Sequence, residues 1–377
     1  MRITHIIKTN GIAGAEAHLL ILLPALRERG YDVRVIFIAP SGNRGADFVA
    51  ALEKLGVPVE STPIRRHGSP GLMWVLARIL RRQKPDIAHI HLYHAELWGI
   101  PAARLAGVRR VVNSRHNEDP RRARFPLGLV YRALWRMLDA GICISQAVRR
   151  TVRDEGAPSR KLHVIYYGLP PAEPRDRMQA RDHLLKLTGF PQDAVLFGTV
   201  SRLIDVKGID DAIKAFAMVQ KDVPTARLIV AGDGPYREAL EDAALATGVP
   251  DLIAFIGWQA DAVGIMAGLD VMLSPSHREG FGMSVIEAMS QSVPLIASQA
   301  GALPEIVVDG LTGLLVPPKS PQQLADAMEA LAVDPVRRIA MGEAGQRRVS
   351  EAFSADKMVD ATAALYEELA GQPPSEK

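Results

Sequence analysis

Cysteine is almost absent from this sequence, which holds one, Cys143, in 377 residues. A disulfide framework and a zinc site built from cysteines are therefore excluded. Cys143 lies within the apolar run 140–144, so we expect a buried thiol and not a nucleophile.

Long apolar runs are also lacking, because no stretch approaches the roughly 18 apolar residues of a membrane-spanning helix. The start of the chain, MRITHIIKTNG, lacks the apolar core of a signal peptide and predicts a first strand instead. We therefore expect a cytoplasmic protein.

Acidic residues are scarce in the first part of the chain. Residues 1–170 hold 27 Lys and Arg against 13 Asp and Glu, a net charge of +14, whereas the remainder holds 18 against 29, a net charge of −11. The basic half suits an anionic membrane surface or nucleic acid, or it is a solvated face without a partner. Aromatic residues make up only 5% of the chain, too few for binding by base stacking, so we expect no nucleic-acid partner.

Strand patterns alternate with helical patterns through both halves of the chain. This alternation predicts parallel sheets, and hence an α/β fold with two doubly wound, Rossmann-like domains. Segment 166–174 holds three prolines and one glycine where the charge changes sign, so we place the domain junction there. The chain ends in an amphipathic helical pattern over 354–369 and a polar tail over 371–377.

The first loop, residues 9–16, contains Gly11 and Gly14 between a strand pattern and a helical pattern. A helix that starts after a glycine turn presents free amides to an anion. The glycines do not form the dinucleotide-binding G-x-G-x-x-G motif, so a tight turn and a phosphate site both remain open.

Four histidines occur close together, at positions 89, 91, 94 and 116. We expect no metal, because His89 and His91 would need further ligands that the sequence does not place. His116 directly follows a strand pattern that starts at Arg110, and ligands bind beyond the carboxyl ends of parallel strands. His116 is therefore either a substrate contact or a histidine that caps a loop.

Residues 120–138 combine several arginines with an apolar side that includes Phe125, Val130, Tyr131 and Trp135. The pattern fits a helix that lies on a membrane surface. It fits equally a helix that packs on the core and exposes its charges.

Two carboxylates stand eight residues apart in the segment Ser274–Gly313. Glu279 lies on a loop between a strand pattern and Gly282, and Glu287 lies on the helix predicted after it, among apolar neighbours. A carboxylate on such a helix is costly unless something pairs with it.

Two cations, Arg202 and Lys207, follow the strand pattern 195–201. They would share the carboxyl edge of one sheet with Glu279, and two cations together with helix-start amides suit a diphosphate. Glu287 could then accept hydrogen bonds from sugar or ribose hydroxyls. The alternative is a buried ion pair between Arg202 and Glu287.

With these motifs, nearly the whole chain resembles the family 4 glycosyltransferases. The motifs are Gly14-Ala-Glu16, Arg202-Leu-Ile-Asp-Val-Lys207-Gly208, Gly232-Asp-Gly-Pro235 and Glu279-Gly-Phe-Gly-Met-Ser-Val-Ile-Glu287-Ala. The resemblance implies the GT-B fold, with two Rossmann-like domains that face each other across a cleft. Residues 1–168 would form the acceptor side and 169–352 the nucleotide-sugar side, while 353–377 would hold a helix that crosses back to the first domain and the polar tail.

The resemblance also implies retaining transfer of a sugar, without a metal or another cofactor. The donor would be a nucleotide sugar, with uridine expected as its base, and the acceptor a glycan or lipid-linked molecule of the cell envelope. Arg202 and Lys207 would bind the diphosphate, and Glu279 the donor sugar. The other assigned residues are His116 near the transferred sugar, Gly14 near the donor phosphate and acceptor, Trp258 and Gln259 near the base, Gly280, Phe281, Gly282 and Met283 in the phosphate-binding loop, and Glu287 at the ribose.

This chain departs from the family pattern at two places. The junction is Tyr167-Gly-Leu-Pro170 where the family often has Asn-Gly-Val-Asp, and Ala13 precedes Gly14 where paired glycines are common. Two other functions stay open: a nucleotide-sugar epimerase, which would need acid-base residues across the cleft, and a non-catalytic nucleotide or polyanion binder, which would not need Glu279. The basic half further suggests a peripheral position on the cytoplasmic face of the membrane.

Overall fold

The computed structural model describes residues 1–40, 42, 44–63, 71–173 and 175–371, which divide into two α/β units. Unit 1 comprises Met1–Pro170 and the chain from Ala355 onward, and unit 2 comprises Pro171–Ser354. Pro174 of the predicted junction and the predicted polar tail beyond residue 371 lie outside the described residues.

A seven-stranded parallel sheet forms the centre of unit 1 within the described residues. Its strands are β1 (Arg2–Ile7), β2 (Asp32–Ala39), β3 (Val59–Pro63), β4 (Ile87–His91), β5 (Arg110–Arg115), β6 (Ala140–Cys143) and β7 (Leu162–Val164), in the spatial order β3-β2-β1-β4-β5-β6-β7. The helices are α1 (Gly14–Glu28), α2 (Ala46–Lys54), α3 (Gly71–Gln83), α4 (Tyr93–Leu105), α5 (Leu127–Arg136), α6 (Gln146–Asp154) and the C-terminal α15 (Ala355–Gly371).

A six-stranded parallel sheet forms the centre of unit 2 in the same described part of the chain. Its strands are β8 (Val195–Val200), β9 (Ala226–Ala231), β10 (Ile253–Gly257), β11 (Val271–Ser274), β12 (Leu295–Ser298) and β13 (Gly313–Val316), in the order β10-β9-β8-β11-β12-β13. The helices are α7 (Arg177–Thr188), α8 (Ile209–Val219), α9 (Arg237–Leu245), α10 (Ala262–Ala267), α11 (Met283–Ser290), α12 (Leu303–Ile306), α13 (Pro321–Ala332) and α14 (Pro335–Ala352). The predicted fold class, with two parallel α/β sheets, is confirmed.

The strand order reverses beside the first strand of each sheet. β1 pairs with both β2 and β4 in unit 1, and β8 pairs with both β9 and β11 in unit 2. In open parallel sheets, ligands bind beyond the carboxyl ends of the strands at such a reversal. The loops that follow β1, β8 and β11 carry Gly14, Lys207 and Glu279, so the fold puts these predicted residues at the favoured edges.

Helix α15 completes the core of unit 1, although it follows the whole of unit 2 in the chain. Its Val359 and Tyr366 are buried in the same apolar cluster as Ile3 and Leu19. Cys143 also lies in unit 1, fully buried, and burial raises the pKa of its thiol to about 12. The structure therefore gives this cysteine the environment of a core thiol.

The helix expected over 120–138 is shorter than its amphipathic pattern suggested. A 3₁₀ turn covers Pro120–Ala123, and helix α5 begins at Leu127 after Pro126, which has no N–H to give to a helix interior. Tyr131 and Trp135 face the core, whereas Phe125 is 84% exposed. Among the described residues, no helix has the length and apolar character needed to cross a bilayer.

Candidate active site

Two loops of unit 2 meet at the carboxyl edge of its sheet. One follows β8 and holds the 3₁₀ turn Asp205–Lys207, and the other follows β11. The His277 N–H donates to the Val206 carbonyl at 2.8 Å, which ties the loops together. Gly208 has a φ of +63°, and a Cβ there would lie 2.2 Å from the Pro275 carbonyl oxygen. Glycine is thus required at this position for the loops to approach each other.

A salt bridge joins two of the predicted residues across these loops. Lys207 Nζ lies 2.6 Å from Glu279 Oε2, and the side chains are 21% and 14% exposed. The Ser276 hydroxyl donates to the same carboxylate oxygen at 3.3 Å. An ammonium has three donors and a carboxylate about four lone pairs, so both groups retain capacity for a ligand. The pair can therefore offer N–H donors to a phosphate and an acceptor to a sugar hydroxyl.

The N-terminus of α11 opens beside this salt bridge in sequence. Gly282 is its N-cap, with a φ of +107°, and the N–H groups of Val285 and Ile286 donate to the Gly282 carbonyl. The amides of Gly282, Met283 and Ser284 have no hydrogen-bond partner among the residues that the structure describes. Free amides at a helix N-terminus suit an anion, because the helix dipole is positive there.

Phe281 of this loop faces away from solvent. It is buried and packs edge-on against Phe353, with ring centroids 5.8 Å apart, whereas Gly280 is partly exposed. Phe281 therefore anchors the loop on the core of unit 2. Its contribution to a ligand site would be through the position of the neighbouring amides.

Glu287 carries an unpaired, half-buried carboxylate on α11. In the described part of the chain it forms no hydrogen bond or ion pair through that carboxylate, and burial raises its pKa. Arg202 is exposed and, in the same described part, forms no ion pair. The alternative of a buried Arg202–Glu287 ion pair is therefore wrong. The carboxylate keeps the desolvation cost without a protein partner to offset it.

The residues predicted to lie near the base follow β10. The Trp258 side chain is 73% exposed, and the Gln259 amide donates to the Ile256 carbonyl at 2.6 Å. Gln259 thus fixes the turn after the strand. The indole of Trp258 offers an open apolar face on which a ring can stack.

Gly14 is the first residue of α1 in unit 1. The Ala13 N–H just before it donates to Glu16 Oε2 at 3.0 Å, which fixes the entry into the helix. Gly14 is partly exposed and follows β1, beside the strand-order reversal. The structure is compatible with both interpretations of this loop.

His116 lies just beyond β5 and is partly exposed. Its Nε2 is 3.0 Å from His91 Nδ1, and its Nδ1 is hydrogen-bonded to the Tyr167 hydroxyl. Burial, with the nearby Arg115 and Arg122 charges, lowers the pKa of His116 to about 3. The imidazole is therefore neutral near pH 7, and a ligand could use a ring nitrogen only by displacing one of these bonds.

The structure adds two histidines that sequence reasoning missed. His5 on β1 pairs in register with His89, and His18 on α1 stacks on Tyr167, with ring centroids 4.2 Å apart. His5 is thus a histidine partner of His89 and His91 that the sequence did not place, whereas His94 lies apart on α4. The available signal was the place of His5 in the alternating pattern of the first strand. That pattern does not show that β1 pairs with β4, which is what brings His5 next to His89.

These histidines come close enough together to invite a metal. Ligand atoms of His5, His89 and His91 lie within 4.8 Å of one another. However, five of their six ring nitrogens form hydrogen bonds to His116, Tyr366, Ser114 or each other. Hydrogen bonding thus accounts for every nitrogen of the three except His5 Nε2.

Two family models match the chain. The model described as glycosyl transferases group 1 matches residues 181–348, and the model described as glycosyltransferase family 4 matches residues 12–173. The matches thus fall on unit 2 and unit 1, respectively.

Curated relatives include a GDP-mannose-dependent alpha-(1-6)-phosphatidylinositol monomannoside mannosyltransferase of Mycobacterium tuberculosis. It is 32% identical over 272 residues, a match that covers 68% of this chain and 69% of that protein. An N-acetyl-alpha-D-glucosaminyl L-malate synthase of Bacillus anthracis is 26% identical over 77% of each chain.

Solved structures show the same fold. Anabaena HepE in complex with UDP superposes with a TM-score of 0.84 at 24% identity, covering 98% of this chain and 100% of that one. A glycosyltransferase from Rickettsia africae gives a TM-score of 0.84 at 17% identity, over 99% of each chain. At these identities the likeness concerns the fold alone.

Proposed function

The chain belongs to the family 4 glycosyltransferases, which have the GT-B fold, and we propose that it transfers a sugar from a nucleotide sugar, with retention and without a metal. The acceptor proposed is a glycan or a lipid-linked molecule of the cell envelope. Relatives named as mannosyltransferase and glucosaminyl-malate synthase favour transfer over epimerisation and over binding alone.

One observation carries the proposal: the groups that a nucleotide sugar needs occur together at the carboxyl edge of unit 2. The Lys207–Glu279 pair supplies a cation and a carboxylate, and the first amides of α11 supply donors for a phosphate. Glu287 supplies an unpaired carboxylate for the ribose hydroxyls, which would offset its desolvation. A cleft between β8 and β11 is lined by Lys207 and by the hydroxyl groups of Thr199, Ser201, Ser274, Ser276 and Ser284.

The proposed reaction needs no protein nucleophile. The bond from the sugar C1 to the phosphate oxygen breaks, and a bond from C1 to the acceptor oxygen forms on the same face. The acceptor proton passes to the departing nucleoside diphosphate. Lys207, Arg202 and the amides of Gly282 and Met283 stabilise the charge that develops on that diphosphate.

The base is the point on which the relatives differ. The mycobacterial relative is named as GDP-mannose-dependent, whereas HepE was solved with UDP. Uridine was the expectation from the sequence and stays a prediction. In either case we propose that the exposed Trp258 indole stacks on the base.

A thermal-shift series tests the donor assignment. UDP, GDP and their monophosphates are added to the protein, and the melting temperature is measured with the wild type and with Trp258→Ala. A ligand at a concentration of 100 times its Kd raises the free energy of unfolding by about 2.7 kcal/mol, so a true ligand gives a clear shift in melting temperature. We expect one diphosphate to raise the melting temperature more than its monophosphate does, and more than the other diphosphate does. Equal shifts with all four compounds, or none, would overturn the proposal.

Product analysis separates transfer from epimerisation. Each nucleotide sugar that shifts the melting temperature is incubated with the enzyme and a lipid or glycan acceptor. Transfer releases the nucleoside diphosphate and labels the acceptor, whereas an epimerase returns a new nucleotide sugar. Binding without either product would favour the non-catalytic alternative.

We also propose that α5 brings unit 1 to an anionic membrane surface that holds the acceptor. Phe125, just before α5, and Leu129 and Val130 on α5 are exposed large apolar side chains, and Arg132 and Arg136 of α5 are also exposed. An exposed apolar group flanked by arginines suits the headgroup boundary of an anionic bilayer. This gives the basic half of the chain a defined role.

Vesicle flotation at low salt tests this surface. We expect binding to vesicles that contain phosphatidylglycerol, and loss of binding for Phe125→Ser/Leu129→Ser. The control is Leu245→Ser, which removes a leucine that is 65% exposed in unit 2. The membrane role is wrong if the wild type stays unbound, or if the control loses as much binding as the double variant.

A further inference from the structure

The buried histidines of unit 1 form a continuous chain of hydrogen bonds that ends at His116. His5 Nδ1 lies 2.9 Å from His91 Nε2, and His91 Nδ1 lies 3.0 Å from His116 Nε2. His116 Nδ1 then meets the Tyr167 hydroxyl. His5, His89 and His91 lie on the same side of the sheet, because His5 is in register with His89 and His91 follows His89 by two residues on the same strand.

Each of the two links between histidines has one proton between two nitrogens. A neutral imidazole has one N–H and one lone pair, so the donor of one link is the acceptor of the next. Burial lowers the pKa of His5 to about 3 and that of His91 well below its ordinary value, so both rings are neutral. All the N–H groups must therefore point the same way along the chain.

His5, at the end of the hydrogen-bond chain away from His116, indicates which way the N–H groups point. His5 Nε2 is buried and has no hydrogen-bond partner among the described residues. A buried N–H without an acceptor is rarer in proteins than a buried acceptor without a donor. His5 Nε2 should thus carry the lone pair, and His5 Nδ1–H should donate to His91. His91 Nδ1–H then donates to His116 Nε2, and His116 Nδ1–H donates to the Tyr167 hydroxyl.

Tyr167 suits its role as the final acceptor. Its ring is buried and stacks on His18, and burial together with the Glu16 charge raises the pKa of its hydroxyl well above the ordinary value. The hydroxyl therefore keeps its proton and stays a neutral acceptor. Both ring nitrogens of His116 are thus set by groups that belong to unit 1.

We propose that His91 and Tyr167 are positioning residues that hold the His116 ring in one orientation, as the Nδ1–H tautomer. The inference builds on the proposed function and on the role that the family resemblance implies for His116, near the transferred sugar. Outer partners that orient a functional histidine change metal affinity or activity by about 10-fold to 100-fold in metal sites, and we expect the lower end here. His91 and Tyr167 act through His116 and touch no substrate themselves.

Two substitutions at one position test this chain. In His91→Asn the side-chain amide nitrogen takes about the place of Nδ1 and keeps the bond to His116, whereas the longer side chain of His91→Gln reaches the place of Nε2 and keeps only the bond to His5. Both variants replace the same buried ring by one uncharged amide, so a purely structural role of His91 would affect them alike. We expect kcat to fall about 10-fold in His91→Gln and to change less than about 2-fold in His91→Asn, with the donor KM unchanged.

The tautomer is read directly from long-range proton–nitrogen correlation spectra of the histidine-labelled protein. We expect His116 as Nδ1–H in the wild type and in His91→Asn, and as a mixture in His91→Gln. This readout does not need activity, so it still decides the inference if no sugar transfer is found. An Nε2–H tautomer in the wild type, or a spectrum unchanged in His91→Gln, would overturn it. A changed tautomer with kcat equal in both variants would overturn the positioning role.

A second variant covers the case in which His91→Gln does not fold. Tyr167→Phe removes the hydroxyl but keeps the ring that stacks on His18. We expect it to release His116 Nδ1–H and to lower kcat by a similar factor. Because His91 still donates to Nε2, His116 should remain the Nδ1–H tautomer in this variant. An Nδ1–H that exchanges with solvent no faster than in the wild type would show that Tyr167 does not hold the ring.

Discussion

The two units treat their polar groups in opposite ways. Unit 1 buries charged groups and pairs them with each other: Arg115 is almost fully buried and binds both oxygens of Glu155 at 2.6 and 2.7 Å, and Arg122 pairs with Glu96. Unit 2 leaves Glu287 and the first amides of α11 without protein partners at the edge of its sheet, among the described residues. Unsatisfied groups at an accessible edge mark where a ligand binds, whereas satisfied networks fix geometry.

The difference is also the reason that we propose a diphosphate site in unit 2 and not in the basic half. Several arginines of unit 1 are neutralised by buried carboxylates, and others are exposed on helices. In unit 2, by contrast, a few cations stand on loops at the strand ends. Net charge therefore indicates a surface partner, while the position of each charge in the fold indicates the chemistry.

The largest effect is expected at the salt bridge of unit 2. Lys207→Ala should lower kcat by about 10³-fold, because one group that stabilises the leaving charge is lost. Lys214→Ala is the matched control, since Lys214 pairs with Asp210 on an exposed helix face and such pairs contribute little. Full activity in Lys207→Ala would show that the diphosphate is bound elsewhere.

The next largest effect is expected on the free energy of unfolding in acid, which should fall more for unit 1 than for unit 2. The histidines of unit 1 protonate near pH 6.5 when unfolded, but His5 and His116 have a folded pKa of about 3. Between these values the unfolded state binds more protons, so the free energy of unfolding falls as the pH falls. Each histidine contributes about 1.4 kcal/mol per pH unit within that window.

Calorimetry from pH 7 to pH 4 measures this difference. The transition of unit 1 should move to lower temperature as the pH falls, and His5→Asn should reduce the slope by one histidine's share. If the slope stays the same in His5→Asn, the ring of His5 is protonated in the folded state, and the neutral chain is wrong.

A smaller effect is expected from the unpaired carboxylate of α11. Glu287→Gln should weaken nucleotide binding by about 10-fold, since a hydrogen bond to a charged group contributes roughly 1.5–3 kcal/mol. The same change should raise the melting temperature of the free protein, because it removes a desolvated charge. Glu238→Gln alters an exposed glutamate of unit 2 and should change neither quantity. Weaker binding together with a lower melting temperature would show that Glu287 is structural.

Much of the fold could be predicted from local patterns. Alternation of strands and helices gives two parallel sheets, and the first strand expected at the start of the chain is confirmed as β1. The helix expected over 120–138 was wrong in length: Pro126 has no N–H for a helix interior, and α5 begins only at Leu127. Local patterns thus predict an element correctly where its residues can also adopt the backbone geometry that the periodicity implies.

Contacts between distant parts of the chain could not be predicted. The Lys207–Glu279 pair joins loops 72 residues apart, and the His5–His91 bond spans 86 residues. Both depend on strand register, which sequence patterns leave undetermined when both faces of a strand are buried. The sequence therefore suggested which groups would bind a ligand, but not that two of them would bind each other.

The smallest effect should come from removing metal ions. We expect EDTA to leave the rate of sugar transfer unchanged, because Lys207, Arg202 and the α11 amides provide the positive charge that a divalent cation would otherwise supply. The assay compares enzyme treated with EDTA, untreated enzyme, and treated enzyme with added Mg²⁺ or Mn²⁺.

A cluster of possible metal ligands near the donor loops makes the EDTA experiment a demanding test. Ligand atoms of Asp210, Asp211 and His277 lie within 4.8 Å of one another. Asp211 is hydrogen-bonded to His277 at 2.8 Å, and Asp210 to Lys214 at 3.1 Å, so hydrogen bonds already occupy these groups. A large loss of rate in EDTA, restored by Mn²⁺ in the wild type but not in Asp211→Asn, would place a catalytic metal at this cluster. The charge that stabilises the leaving diphosphate would then come from an ion and not from the loops of unit 2.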